Sequence, residues 1–193
     1  HPNSRRQRQM CIRDRNSVSM SVSELATVEA LNDSEMKFAD DGAISVSDAV
    51  TKANADTINA YTTGQVTLTS VSDTVANITL IDGLTTSEVT MAAANVSITD
   101  TGATKAQVDA VNAFTTGTVT PTSLTEDRAD IATLQGTTGI SLATTNITVT
   151  DQVTKAQADT INTYTTGQVV LNSSSMTFTE LAAVEALNDS EMK

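Results

Sequence analysis

Ile44-Ser-Val-Ser-Asp48, followed by Thr51-Lys-Ala-Asn-Ala-Asp-Thr-Ile-Asn-Ala-Tyr-Thr-Thr-Gly64, is the stretch from which the fold can be read. It returns as Val96-Ser-Ile-Thr-Asp100 with Thr104-Lys-Ala-Gln-Val-Asp-Ala-Val-Asn-Ala-Phe-Thr-Thr-Gly117. It returns again as Ile147-Thr-Val-Thr-Asp151 with Thr154-Lys-Ala-Gln-Ala-Asp-Thr-Ile-Asn-Thr-Tyr-Thr-Thr-Gly167. The aromatic positions Tyr61, Phe114 and Tyr164 stand 53 and 50 residues apart. Self-similarity at a fixed period of this size marks an array of stacked supersecondary units.

The opening part of each copy reads as a strand. Asn146-Ile-Thr-Val-Thr-Asp151, Asn95-Val-Ser-Ile-Thr-Asp100 and also Asn77-Ile-Thr-Leu-Ile-Asp82 alternate apolar and hydroxylated side chains. Period two with β-branched residues predicts one buried face, with Ile147 and Val149 inward and Thr148 and Thr150 outward. Second short strands are predicted after each Thr-Thr-Gly, at Val66-Thr-Leu68, Val119-Thr120 and Val169-Val-Leu171. Between the two strands lies a helix. Thr104 with Gln107, and Thr154 with Gln157, have the spacing of a capping box. Ala53, Ile58 and Tyr61, Ala106, Val111 and Phe114, and Ala156, Ile161 and Tyr164 form a narrow apolar stripe at near-helical spacing, with the aromatic expected in the core. Gly64, Gly117 and Gly167 are expected to stop these helices as left-handed caps.

A second element alternates with the first. Met20-Ser-Val-Ser-Glu-Leu-Ala-Thr-Val-Glu-Ala-Leu-Asn-Asp-Ser-Glu-Met-Lys37 returns almost unchanged as residues 176–193, an offset of 156 residues. Diverged copies lie around Val71 to Thr86 and Leu124 to Thr138. In the second of these, a helix is expected to open at Ser123-Leu-Thr-Glu126 and end near Gly136; in the last copy, Thr179 is expected to cap the helix from Glu180 to Leu187. Each period thus divides into halves of about 25 residues, the length of one solenoid coil. One such coil buries too little apolar surface to offset its ordering entropy, so it needs neighbours on both sides. The expected fold is α/β: a repeat solenoid of ~25-residue strand–helix coils, in ~52-residue double repeats, with parallel strands. A mainly-β solenoid is the alternative.

Residues 1–16 break from this pattern and are expected to be a non-native or disordered leader that packs against nothing. Residues 17–193 are read as a single array, truncated at both ends because the last copy stops at the counterpart of Lys37. The charge divides the same way. Arg5, Arg6, Arg8, Arg13 and Arg15 oppose only Asp14 in the leader, which leaves −16 for the rest of a chain whose net charge is −12. A basic arm for nucleic acid is disfavoured by that acidic remainder, which also repels anionic lipid. No run of about eighteen apolar residues is present, so no membrane insertion is expected.

Chemistry has few footholds. The single histidine is His1 and the single cysteine is Cys11, both in the leader. Triad-type nucleophiles, zinc clusters and phosphate-binding glycine loops have no matching pattern in the remainder. Aromatic content of 3% leaves little for stacking on bases or sugars. Asp48, Asp82, Asp100 and Asp151 each follow an expected strand and could stack as a ladder toward Ca²⁺, which takes six to eight oxygens. The simpler expectation is that each caps the helix or turn that follows it. Lys52, Lys105 and Lys155 precede Asp56, Asp109 and Asp159 by four residues, the spacing of solvated helix pairs. Asn77, Asn95, Asn146 and Asn172 open Asn-x-Ser/Thr triplets, which are formal glycan acceptors, but an Asn at a strand entrance more simply satisfies a turn. No catalytic residue, cofactor site or metal site is assigned.

The phrases Ile-Thr-Val-Thr-Asp, Thr-Lys-Ala-Gln-Ala-Asp and Thr-Thr-Gly-x-Val resemble the tandem repeats of giant secreted or cell-surface, adhesin-like proteins of marine bacteria, including cyanobacteria. The resemblance spans residues 17–193. It implies a non-enzymatic stalk, spacer or adhesive array at the cell surface or outside the cell. Its partners would be neighbouring repeats of the same chain and cell-surface or matrix polymers, with end-to-end self-association also expected. The alternative is a binding module that recognises a polymer, surface or partner protein through one solenoid face. Residues 5–15 resemble a translated sequencing adapter.

Overall fold

The computed structural model describes residues 17–30, 41–84 and 88–185. The leader, with His1 and Cys11, lies outside them. The described chain is α/β, with seven helices and parallel strand pairing throughout. It divides into two compact units, the first holding residues up to 72 and 76–94, the second 73–75 and from 95 onward.

The first unit begins with β1 (Ser17–Met20) and α1 (Val22–Glu29), then β2 (Ala43–Val50) and α2 (Lys52–Asn59). It continues through β3 (Val66–Asp73), α3 (Val75–Asp82) and β4 (Val89–Thr90), with Asp73 and Val75, at the end of β3 and the start of α3, belonging to the second unit. The strands pair in chain order, and Val18, Ile44, Val66 and Val89 stand in one register row. Ile44, Val46 and Val50 point into the core and Ser47 out of it, as the period-two reading requires. On α2 the core positions are Ala55 and Ile58, whereas Ala53 is exposed.

The segment Asn77–Asp82 is not a strand: it lies within α3. Its Ile78 and Ile81 are 0% and 1% exposed, while Leu80 is 57% exposed. Spacing of i, i+3 therefore decides the burial, not alternation.

The second unit carries β5 (Asn95–Ile98), α4 (Lys105–Asn112), β6 (Val119–Pro121), β7 (Ser123–Glu126) and α5 (Arg128–Gly136). β8 (Asn146–Val153), α6 (Lys155–Asn162), β9 (Val169–Ser174) and α7 (Phe178–Glu185) complete it. Here Leu124, Ile147 and Val169 share a register row, and Val96 pairs with Val119. Each of α4, α5 and α6 packs against the next helix and the next strand. The helix expected from Ser123 starts later, because Ser123–Glu126 pairs as β7 and Asp127 is the N-cap. The last helix likewise starts at Phe178: the Thr177 hydroxyl accepts from Glu180 N at 3.3 Å, and Glu180 Oε2 accepts from Thr177 N at 2.8 Å. Thr177, not Thr179, is the cap.

Capping boxes fix the starts of α2 and α4 through Thr51 with Asn54 and Thr104 with Gln107. The Thr154 amide donates to Gln157 Oε1 at 2.8 Å at the start of α6. Tyr61, Phe114 and Tyr164 are half-buried; the helix positions that reach the core are Ala55 and Ile58, Val108 and Val111, Ala158 and Ile161. The aromatics follow the last helical residue, where the chain is already turning away from the core.

Candidate functional site

The polar residues that recur with the repeat bond to backbone of other strand–helix segments. Asp48 Oδ1 accepts a hydrogen bond from Val22 N at 2.9 Å, and Asp100 Oδ2 from Val75 N at 2.6 Å. Glu126 Oε1 accepts from Lys105 N at 2.5 Å, and Asp151 Oδ1 from Arg128 N at 2.9 Å. Each donor is the first residue of a helix, whose amide has no partner inside that helix. Each acceptor lies 21 to 26 residues later in the chain. The strand-end carboxylates Asp48, Asp100 and Asp151 do cap helices, but each caps the helix before it in the chain rather than the one after. Negative charge at a helix start is favourable in its own right.

Backbone irregularity aims two of these carboxylates. The β2–β3 register shifts between Val46 and Ala49, and the β8–β9 register between Val149 and Gln152. Asp48 and Asp151 sit on those bulges, which bend the strand and redirect its side chains. At the first bulge the Thr69 hydroxyl donates to Val46 O at 2.7 Å, so the kinked backbone keeps a partner.

The Thr-Thr-Gly phrase forms a second joint. Thr62, Thr115 and Thr165 are buried. Each hydroxyl accepts from the glycine amide two residues on, at 2.9, 2.9 and 2.8 Å. Thr62 also donates to Gly42 O at 2.6 Å and Thr165 to Thr145 O at 2.7 Å, both 20 residues earlier in the chain. The helices themselves end at Ala60, Ala113 and Thr163 in right-handed conformation, and the positive-φ glycines among the described residues are Gly102 and Gly139. Gly64, Gly117 and Gly167 are therefore not left-handed caps. At Gly64 and Gly167 it is close backbone that calls for glycine: a Cβ on Gly167 would stand 2.7 Å from Thr145 C and 3.1 Å from Asn146 N, and one on Gly64 2.6 Å from Gly42 O.

Asparagine closes the strand entrances. Asn95 Oδ1 accepts from Thr118 N at 3.0 Å and Asn146 Oδ1 from Gln168 N at 2.9 Å, each reaching the start of the strand that follows the next helix. Asn77 lies on α3 and Asn172 on the exposed part of β9.

These side chains converge on the joints, not on a cleft. No group of three or more His, Cys, Asp or Glu side chains able to hold a metal ion is found among the described residues. Asp82 closes α3 and does not stand beside Asp48 or Asp100 as a strand end. A shallow groove runs along α1, lined by Met20, Ser23, Glu24, Thr27 and Val28. No protein family, curated protein or solved structure matches this chain. Among the described residues no helix is long and apolar enough to cross a membrane.

The titratable groups that depart from ordinary behaviour sit at helix starts. The Ser21 backbone amide, then its hydroxyl, holds Glu24 below the usual glutamate range; Thr177 does the same to Glu180. Hydrogen bonding to Asp109 raises Lys105. The pairs Lys52–Asp56, Lys105–Asp109 and Lys155–Asp159 close at 2.6, 2.5 and 2.6 Å as the spacing foretold, at exposures where such pairs contribute little.

Sequence reasoning overlooked Glu126 and the buried threonines. Glu126 ends β7, whose own residues Ser123-Leu-Thr-Glu126 depart from the Ile-Thr-Val-Thr-Asp phrase and read as the opening of a helix, so no pattern flagged it. The threonines were in plain view, because the first Thr of Thr-Thr-Gly never varies between copies.

Proposed function

We propose that this chain is a non-enzymatic structural segment, a stalk, spacer or adhesive array, of a large extracellular or cell-surface bacterial protein. In this reading the coils of each unit stack as a solenoid, each joint latched by the same side chains. The observation that carries it is the use made of the recurring polar residues. Asp48, Asp100, Glu126 and Asp151 are engaged by the helix of a neighbouring coil, as Thr62 and Thr165 are by its backbone. An array whose task is length needs the same joint repeated, whereas an enzyme needs unlike groups brought to one place.

The test is to insert one further period, residues 43–94, and measure small-angle scattering. Two more ~25-residue coils at the ordinary spacing of parallel strands lengthen a stack by about 10 Å, with the cross-section unchanged. Growth in all dimensions, as for a globular domain, refutes the reading.

A further inference from the structure

We propose that Asn95 and Asn146 are acceptor sites for an N-linked sugar, one at the entrance of β5 and one at the entrance of β8. Each opens a triplet of the acceptor form, Asn95-Val-Ser97 and Asn146-Ile-Thr148. The triplet alone does not choose them. Asn77-Ile-Thr79 and Asn172-Ser-Ser174 have the same form, as do Asn32-Asp-Ser34 and Asn188-Asp-Ser190, which lie outside the described residues. What chooses them is which half of the side-chain amide the fold uses. The partner of each is a backbone N–H, from Thr118 at 3.0 Å and from Gln168 at 2.9 Å. An N–H can only donate, so the atom that meets it is Oδ1, and the Nδ2 group stands on the other side of the amide. Neither side-chain amide makes a further hydrogen bond among the described residues.

Both asparagines are exposed, and a turn leads into the strand at each. Satisfying the strand entrance and accepting a sugar therefore fall on different atoms of one side chain. Asn95 shares its strand face with Ser97, and Asn146 with Thr148; this is the outward face, since Val96, Ile98, Ile147 and Val149 are buried. A sugar there covers hydroxylated surface and displaces no core group. Asn77 differs, being half-buried within α3 with a contact of its own. Asn172 stands in the middle of β9. The co-substrate is a sugar carried on a diphosphate, of a lipid or of a nucleoside. Nδ2 bonds to the anomeric carbon, the bond from that carbon to the diphosphate oxygen breaks, and one amide proton ends on the released diphosphate. A separate transferase performs the step, and this chain supplies the acceptor. The inference does not rest on the stalk reading.

The test uses the full chain made in two hosts. One exports it past a membrane transferase that uses a lipid-diphosphate sugar. The other co-expresses a soluble asparagine transferase that uses a nucleoside-diphosphate sugar. Each variant keeps one triplet, the rest being removed by alanine at the third residue, as in Ser97→Ala or Thr148→Ala, which leaves every asparagine in place. Mass spectrometry of peptides reads occupancy, and urea denaturation compares each chain with and without its sugar. Chains that keep only the Asn95 or only the Asn146 triplet should carry sugar, with the urea midpoint unchanged by it. Occupancy with one donor alone supports the sites and identifies the source of the sugar. A sugar at Asn77, on the helix, should lower the midpoint. Absence of sugar at Asn95 and Asn146 with both donors overturns the proposal. So does a sugar at either that lowers the midpoint as much as one at Asn77.

Discussion

Replacing Gly167 by alanine should destabilise the protein, although the same change at an ordinary backbone angle does the reverse. Gly167 does not have positive φ, so a side chain meets no conformational penalty there. Gly→Ala at such a site normally gains about 0.4–1 kcal/mol by restricting the unfolded chain. Against that, the new Cβ would stand 2.7 Å from Thr145 C and closer still to Thr145 O. These are backbone atoms at the entrance of β8, so relief requires the two backbone segments to move apart. Overpacking of this kind costs about 1–3 kcal/mol. The movement also strains the bonds Thr165 Oγ1 to Thr145 O, 2.7 Å, and Gly167 N to Thr165 Oγ1, 2.8 Å. Each is worth on the order of 1 kcal/mol.

The net expectation is a loss of about 1–3 kcal/mol. Gly136 provides the control. It is the last residue of α5 and a Cβ there meets nothing within 4 Å, so Gly136→Ala should gain about 0.5–1 kcal/mol through helix propensity. Urea denaturation of both variants, read from the midpoint at constant slope, measures the difference. A neutral or stabilising Gly167→Ala would refute the close-approach argument. A Gly167→Asn variant markedly better than Gly167→Ala would restore the left-handed cap, since asparagine tolerates that conformation.

The duplicated helix offers a matched pair: Leu25→Ala should cost about 2–5 kcal/mol as a fully buried leucine, and Leu181→Ala no more than about half as much in dilute solution, both read by urea melts. Half-buried Phe114, truncated to alanine, should cost about 1–2 kcal/mol, below the range for core aromatics; a larger loss would place the ring in the core after all. Acid should loosen α1 and α7 first. Glu24 and Glu180 lie below their ordinary value of 4.5, so their capping contribution is complete above that pH and is lost as pH falls through the lowered value. Glutamine at either position should flatten that part of the helical signal in a pH titration, and an unchanged titration would count against the capping box.

Strand and helix were legible where two signals agreed. At Ile147–Asp151 and Thr154–Asn162, alternation, a capping box and repetition all point the same way, and β8 and α6 lie there. Asn77–Asp82 shows the opposite case. Six residues containing Ile78, Leu80 and Ile81 satisfy both periods, and only packing selects the pair Ile78 and Ile81. The repeat alignment carried the better information, since it set this segment opposite Val22–Glu29. The joints were harder to foresee. A carboxylate after a strand announces a cap, but which helix it reaches depends on how the strands pair, and pairing is a property of spatial neighbours rather than of adjacent residues. The glycines misled for a related reason: close backbone approach and a left-handed turn leave the same letter in the sequence.

Amide exchange at the helix starts tests the joints most directly. The first amide of a helix has no partner within it and should exchange freely unless something outside holds it. Capping by these carboxylates predicts protection at Val22, Lys105 and Arg128, and in an Asp151→Ala variant a loss of about tenfold or more at Arg128, with Val22 and Lys105 unchanged. Free exchange at Arg128 in the wild type, or the same protection after Asp151 is removed, would contradict it.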